Sequence, residues 1–397
     1  MNFLNEANKI KNQLIDLRRD FHSHPELDYE LFRTNEKITD FLKREGIEYR
    51  ITAKTGICAI IRGAKSGKTV ALRADMDALP IKDEKKCEYS SENIGKMHAC
   101  GHDVHTTILM GVAKILSGIK SELNGNVKLL FEPAEETTGG ARLMIKDGVL
   151  NNPNVDAVIG LHVNESIDVG QIGIKEGVVH AASNPFTIKI NGRGGHGAHP
   201  DTTVDPIVIA CNLVNTLQTI ISRELSPTDP GVITIGYIHG GTAQNIIPEE
   251  VTLGGIIRTM KTEQREYVKK RLTEITEGIV SSMRGRCTIE IEESYPCLYN
   301  DDSILKMVKA SAEKVIGKQK VNILESPNMG VESFAYFSLE KPSAFYFLGC
   351  RNKSKGIINP AHGSLFDVDE DCIPIGVAIQ CESTINILKS LNTSSKE

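Results

Sequence analysis

No stretch of this 397-residue chain approaches the roughly 18 consecutive apolar residues of a membrane-spanning helix, so no membrane-embedded part is expected. An excess of either charge is missing too. The formal net charge of -5 offers no bulk attraction to a phosphate backbone or an anionic lipid surface, so small molecules, not nucleic acids or membranes, are the expected partners. The N-terminal MNFLNEANKIKNQLIDLRRDF lacks the uninterrupted apolar stretch of a signal peptide, which makes the cytoplasm the expected compartment. Paired cysteine spacings are absent. The nine cysteines, spread from Cys58 to Cys381, do not form the disulfide pattern of a small secreted domain. Tryptophan is absent as well, and that excludes nothing.

The rest of the composition is ordinary, with 40% hydrophobic and 24% charged residues. The length exceeds the size at which one core usually stops growing, so two domains are expected. Apolar spacing predicts a helix that ends at Pro25 and a second over Leu31 to Arg44. Short apolar runs at 56–61, 69–73, 127–131 and 157–162 read as strands, with helices at 104–116 and 141–146 between them. That alternation predicts an α/β architecture with a largely parallel buried sheet. From residue 184 the predicted order becomes βαββαβ, the ferredoxin-like arrangement, with strands at 185–191, 231–238, 250–258 and 287–293 and helices at 204–223 and 262–283. Helices at 302–316, 331–338 and 370–390 and a strand at 344–348 follow. The expected division is a discontinuous domain, 1–183 and 294–397, with 184–293 inserted into it.

Two glycine-rich strings resemble nucleotide motifs and fail on context. Gly192-Arg193-Gly194-Gly195-His196-Gly197 fits G-x-G-x-x-G, but His199-Pro200-Asp201 follows where a helix is required. Gly63-Ala64-Lys65-Ser66-Gly67-Lys68-Thr69 is one residue too short for a P-loop and runs into a strand, which reads as a hairpin turn.

The densest chemistry lies in Met97-His98-Ala99-Cys100-Gly101-His102-Asp103-Val104-His105. A thiol and an imidazole two residues apart on a loop can converge on one zinc-like ion. Phe131-Glu132-Pro133-Ala134-Glu135-Glu136 closes an apolar strand, placing two carboxylates where α/β sheets form ligand crevices. Adjacent carboxylates need cations, and the natural division is one on metal and the other as proton shuttle. His162 ends the next strand, and His362 sits in a loop that Pro360 keeps from being helical.

The ordered segments HPEL (24–27), RADMDALP (73–80), MHACGHDVHT (97–106), FEPAEE (131–136), GLHV (160–163), GGHGAHP (194–200), QNIIPE (244–249), GGIIRT (254–259) and PAHG (360–363) resemble the M20 metallopeptidase family. The match covers nearly the whole chain and is best with the amidohydrolase branch, which includes N-acyl-amino-acid amidohydrolases, hippurate hydrolases and auxin-conjugate hydrolases. The resemblance implies two divalent ions (Mn, Zn, Co or Ni) held by Cys100, His102, Glu136, His162 and His362, with Glu135 as catalytic base. It implies hydrolysis of the amide bond of N-acyl-L-amino acids by an activated water, and an inserted domain that acts as lid and dimerisation module of a homodimer or homotetramer. His196 matches the lid histidine that stabilises the oxyanion, and Asn245 and Arg258 match positions that bind the substrate carboxylate. An alternative for Arg258 is a cross-strand ion pair. Asp75 and Asp77 read as orienting a ligand histidine or capping the next turn, and Asp103 as capping the following helix or acting in catalysis.

The chain departs from the family pattern at Ser333, where Asp is common, and at Asn164-Glu165, where Trp-Pro is common. Alternative activities in the same family are N-acetyl-diaminopimelate deacetylation and dipeptide hydrolysis. A metal-dependent binding protein without turnover is disfavoured because neither base nor ligand is missing.

Overall fold

A computed structural model describes residues 1–394. The chain divides into two compact units, one of Met1–Val179, Tyr299–Ser326 and Glu332 onward, the other of His180–Leu298 with Pro327–Val331. The second unit extends past 184–293 at both ends. It also takes up 327–331, which sequence reasoning assigned to the other domain because no periodicity marks so short a return.

The first unit opens with α1 (Phe3–Lys9), α2 (Lys11–Ser23), α3 (Phe32–Arg44), β1 (Glu48–Thr52), β2 (Gly56–Arg62) and β3 (Lys65–Asp75). It continues with α4 (His102–Gly118), β4 (Asn124–Glu132), α5 (Gly140–Lys146), β5 (Ala157–Asp168), β6 (Ile172–Ile174) and β7 (Gly177–His180). The second unit carries β8 (Ala182–Asn191), β9 (Gly195–His196), α6 (Pro206–Thr219), β10 (Gly231–Gly240), β11 (Ile246–Ile247), β12 (Glu250–Thr259), α7 (Thr262–Ser282) and β13 (Arg286–Ile291). After β14 (Leu298–Asn300) the chain returns through α8 (Asp302–Ile316), β15 (Val321–Ile323), α9 (Ala335–Glu340), β16 (Ser343–Arg351) and α10 (Cys372–Ser394).

The large sheet has the order β1-β2-β4-β3-β5-β16-β6-β15. Its centre, β4-β3-β5-β16, is parallel, whereas β1-β2, β2-β4 and β16-β6 are antiparallel. The expectation of a largely parallel sheet is thus corrected to a mixed one. For the β1-β2 pair the cause is local: the turn between them, with positive φ at Ala53 and Lys54, reverses the chain at the sheet edge. The hairpin expected at 63–69 is also corrected. β2 and β3 do not pair with each other but flank β4, and Gly63 closes on the Gly125 carbonyl with a 3.0 Å hydrogen bond.

One face of this sheet packs Ile57, Leu72, Leu129 and Ile159 into a core with Leu14, Phe21, Ile108, Val112 and Val377 of the helices. In the second unit, α6 and α7 pack on the antiparallel sheet β10-β12-β8-β13 through Leu213, Leu217, Val268 and Leu272. Asp205 caps α6 by accepting from Ile207 and Val208, and Pro206 occupies the first turn where its missing N–H costs nothing.

Candidate metal centre

Strands β3, β4 and β5 run parallel, so the chain leaves them at one edge of the sheet and gathers its polar side chains there. β3 ends on Asp75, β4 on Glu132 with Glu135 and Glu136 just beyond, and His162 lies in β5. Between β3 and β4, α4 starts at His102, directly after Gly101 in the left-handed conformation (φ 84°). A Cβ at Gly101 would come within 2.4 Å of Val163 Cγ2, so only glycine lets Cys100 and His102 pass this close to β5. Two non-glycine residues also adopt positive φ here, Ala134 (55°) before Glu135 and His362 itself (62°). Such strain concentrates at functional sites.

Cys100 Sγ lies 3.3 Å from His162 Nε2. His162 Nδ1 is 2.6 Å from the Val163 carbonyl, which can only accept, so Nδ1 carries the proton and Nε2 presents a lone pair towards the thiol. His102 Nε2 is 3.7 Å from Glu136 Oε1, and His362 Nε2 approaches the same oxygen at 3.6 Å. The His362 loop is held by its own N–H, which donates to the Ala99 carbonyl at 2.8 Å. Asp77 organises the glutamates by accepting the N–H of Glu135 at 2.9 Å and that of Glu136 at 3.1 Å, and it lies 3.4 Å from His102 Nδ1. Ser333 N–H donates to Glu135 Oε1 at 2.9 Å.

Beneath these groups a buried guanidinium balances carboxylates. Arg73 binds Glu132 and Asp75 at 2.6 Å each and Glu332 at 2.9 Å. One cation does not neutralise three carboxylates. Burial, outweighing Arg73, raises Glu332 to about 7. Burial together with Glu332 and Glu136 pushes Glu135 well above the usual carboxylate value, and burial with Glu136 pushes the Cys100 thiol well above the usual thiol value. Burial with the neighbouring His105 keeps His162 neutral, with its pKa well below the usual value.

The residues fit divalent cations. Among the described residues, no group stands in full hydrogen-bond geometry to either ring nitrogen of buried His102, where Asp77 approaches Nδ1 at 3.4 Å, or to Glu136 Oε1. Donors sharing one ion at about 2.0–2.3 Å stand roughly 3–4 Å apart, the spacing of these pairs. Cys100 belongs to two of the donor groups that could hold a metal ion, one with His102 and His162 and the other with Glu136 and His362.

Of the residues singled out in the sequence, Cys100, His102, Glu135, Glu136, His162 and His362 come together in the first unit. His196, Asn245 and Arg258 belong to the second. In β9, His196 pairs with Ile246 of β11, and its Nδ1 accepts the Ala198 N–H at 3.0 Å, leaving the proton on Nε2 as a donor. The Asn245 carbonyl accepts the Gly197 N–H at 2.8 Å, which ties the two segments together. Half-buried Arg258 donates to the Met329 carbonyl at 3.3 Å and forms no ion pair among the described residues, so the cross-strand alternative does not apply.

Capping by Asp103 is corrected: no side chain among the described residues caps α4, and the buried Asp103 carboxylate binds Arg18 at 2.8 Å and His22 at 2.7 Å. Sequence reasoning missed His105, one helical turn after His102. Its Nδ1 meets Asp75 Oδ1 at 2.5 Å and its Nε2 accepts the Val163 N–H at 2.9 Å, so both nitrogens are engaged. The spacing of three from His102 was the available signal. Arg73 and Glu132 were also missed as partners, and nothing local in the sequence links them.

The sequence model of Peptidase family M20/M25/M40 matches residues 71–385. The chain is 39% identical over 389 residues to N-acetyl-L-cysteine deacetylase of Bacillus subtilis (strain 168), covering 98% of this chain and 91% of that protein. It is 37% identical over 397 residues to IAA-amino acid hydrolase ILR1-like 4 of Arabidopsis thaliana, covering 98% and 89%. Among solved structures, a dinuclear metal binding peptidase of the M20 family from Bacillus subtilis superposes with a TM-score of 0.83 at 31% identity, covering 96% of this chain and 99% of that one.

Proposed function

This chain belongs to peptidase family M20/M25/M40 and is a metal-dependent hydrolase of amides, and on that premise we propose that its substrates are N-acyl-L-amino acids, cleaved to a carboxylic acid and an amino acid. The observation that carries this reading is the convergence of Cys100, His102, Glu136, His162 and His362 beside a carboxylate, Glu135, that the Ser333 N–H orients. Those five residues are proposed to hold two divalent ions. Bound there, the ions supply Lewis acidity, acidifying water and polarising the amide carbonyl.

The chain's own groups do the rest. Glu135 takes the proton of the attacking water and returns it to the leaving nitrogen. Its burial beside Glu332 and Glu136 raises its affinity for a proton, which strengthens it as the base of that step. His196, protonated on Nε2, is proposed to donate to the oxyanion of the tetrahedral intermediate. Asn245 and Arg258 are proposed to bind the α-carboxylate, a role supported by an arginine that has no carboxylate partner among the described residues. The second unit is proposed as lid and homodimer contact; its outer strand β10 leaves Tyr237 and Ile238 exposed.

The test is reconstitution. Protein stripped of metal is reloaded separately with Mn, Zn, Co or Ni and assayed on N-acetyl and N-benzoyl amino acids and on dipeptides. N-acyl amino acids are expected to be cleaved with at least one metal. Cleavage of dipeptides alone would replace this reading with dipeptide hydrolysis.

A further inference from the structure

β5 and β16 pair in parallel as far as Gly349 opposite Asn164, lose register, and resume with Arg351 opposite Asp168. Residues 165–167 therefore face Cys350 alone. An irregularity of this kind pushes the strand outward and re-aims its side chains, a device common beside active sites. Here it begins just past His162 and helps wall a cavity of about 520 Å³ lined by Glu165, Ser166, Arg351, Lys353, Ile358 and Pro360.

The cavity adjoins the metal centre. Glu165 Oε1 accepts the Ala361 N–H at 3.3 Å, and Ala361 stands between Pro360 of the cavity wall and His362. Ile358, 58% exposed, and Pro360 form an apolar side facing solvent. The charges on the rim are not equivalent. Arg351 is committed to Asp168 at 2.7 Å and Lys353 is exposed. Glu165 is half-buried and has no ion pair among the described residues. A half-buried carboxylate without a cation, next to an apolar wall, suits a ligand with an aliphatic stem and a terminal ammonium.

We propose that this cavity receives the end of the substrate distal to the scissile amide, and that Glu165 selects substrates carrying an ammonium group there. The inference rests on the N-acyl amino acid reading above. The ammonium can belong to the amino acid side chain or to the acyl group, and matched pairs separate the two. One pair is N-acetyl-L-lysine against N-acetyl-L-norleucine; the other is ε-aminohexanoylglycine against hexanoylglycine.

Two readouts are needed, the ratio of kcat/KM within each pair and the ratio of dissociation constants measured calorimetrically on the Glu135→Ala holoprotein, which binds without turnover. One pair is expected to favour the ammonium compound by about tenfold in both, the size of one charge-assisted contact. Glu165→Gln keeps an acceptor for the Ala361 N–H and removes only the charge, so it is expected to bring that ratio close to one. No preference in either pair, or a preference that survives Glu165→Gln, overturns the proposal. If none of the four compounds is hydrolysed, the proposed activity fails, and the calorimetric ratios alone decide the role of Glu165.

Discussion

Replacing Gly101 with alanine strains the centre without touching a donor atom. Gly101 separates Cys100 from His102 and has φ 84°, a conformation that costs an alanine about 1–2 kcal/mol. The new methyl would also stand 2.4 Å from Val163 Cγ2, where carbons normally keep about 3.5–4.0 Å. Either α4 or β5 must give way, and overpacking of this kind costs about 1–3 kcal/mol. Val163 has little freedom to yield: its carbonyl is bound to His162 Nδ1 and its N–H to His105 Nε2. The total, about 2–5 kcal/mol, is relieved if the empty loop relaxes and must be restored to bind metal. Affinity for the ions is then expected to fall by about 30- to 3000-fold, at roughly 1.4 kcal/mol per factor of ten. Chelator competition gives the affinity, and thermal midpoints with and without metal give the stability. Gly101→Ala combined with Val163→Ala removes the overlap but not the φ strain, and should recover part of the loss. Wild-type affinity in Gly101→Ala would mean that the loop does not need glycine at this position to hold metal.

Arg73→Met leaves Asp75, Glu132 and Glu332 buried without their cation. A loss of about 3–5 kcal/mol is expected, seen as a large drop in thermal midpoint or as failure to accumulate folded protein; a small drop would mean the cluster is neutral. Arg258→Ala should raise KM for N-acyl amino acids while sparing their amidated counterparts, and an equal rise for both would remove its carboxylate-binding role. Asp83 provides a pH test. Burial opposes its charge, but the His22 imidazole 3.6 Å away and hydrogen bonds from the backbone N–H groups of Ser91 and Lys85 outweigh it and depress the folded pKa. The stability this contributes is present above the unfolded value of about 3.9 and is lost as pH falls from there towards the lower folded value. Thermal midpoints of wild type should therefore fall more steeply below about pH 4 than those of Asp83→Asn, and parallel curves would contradict the depressed pKa.

Much of the site was legible because its donors sit at element ends. FEPAEE closes a strand, which put Glu135 and Glu136 at the sheet edge, and PAHG cannot be helical, which put His362 in a loop; the family resemblance joined them into one site. What was not legible depends on long-range packing. Arg73 reads as one polar residue in a strand, and only the neighbouring strand supplies Glu132 as its partner. Ser333 shows as a departure from the family pattern, while its N–H bond to Glu135 becomes visible only once the segment before α9 folds back on the β4 end. Strands β6, β14 and β15 escaped notice because three residues carry no usable alternation. β5 was read as ending at His162 but continues to Asp168, because the polar run after Val163 still pairs with β16 across its bulge.

The proposed chemistry depends most directly on a division of labour between two adjacent glutamates. Metal stoichiometry and kcat measured together on wild type, Glu135→Gln and Glu136→Gln test it. Glu135→Gln is expected to keep the wild-type metal content and lose turnover by about 10²–10⁴-fold, whereas Glu136→Gln is expected to lose metal and activity together. Loss of metal from Glu135→Gln with full occupancy in Glu136→Gln would contradict it.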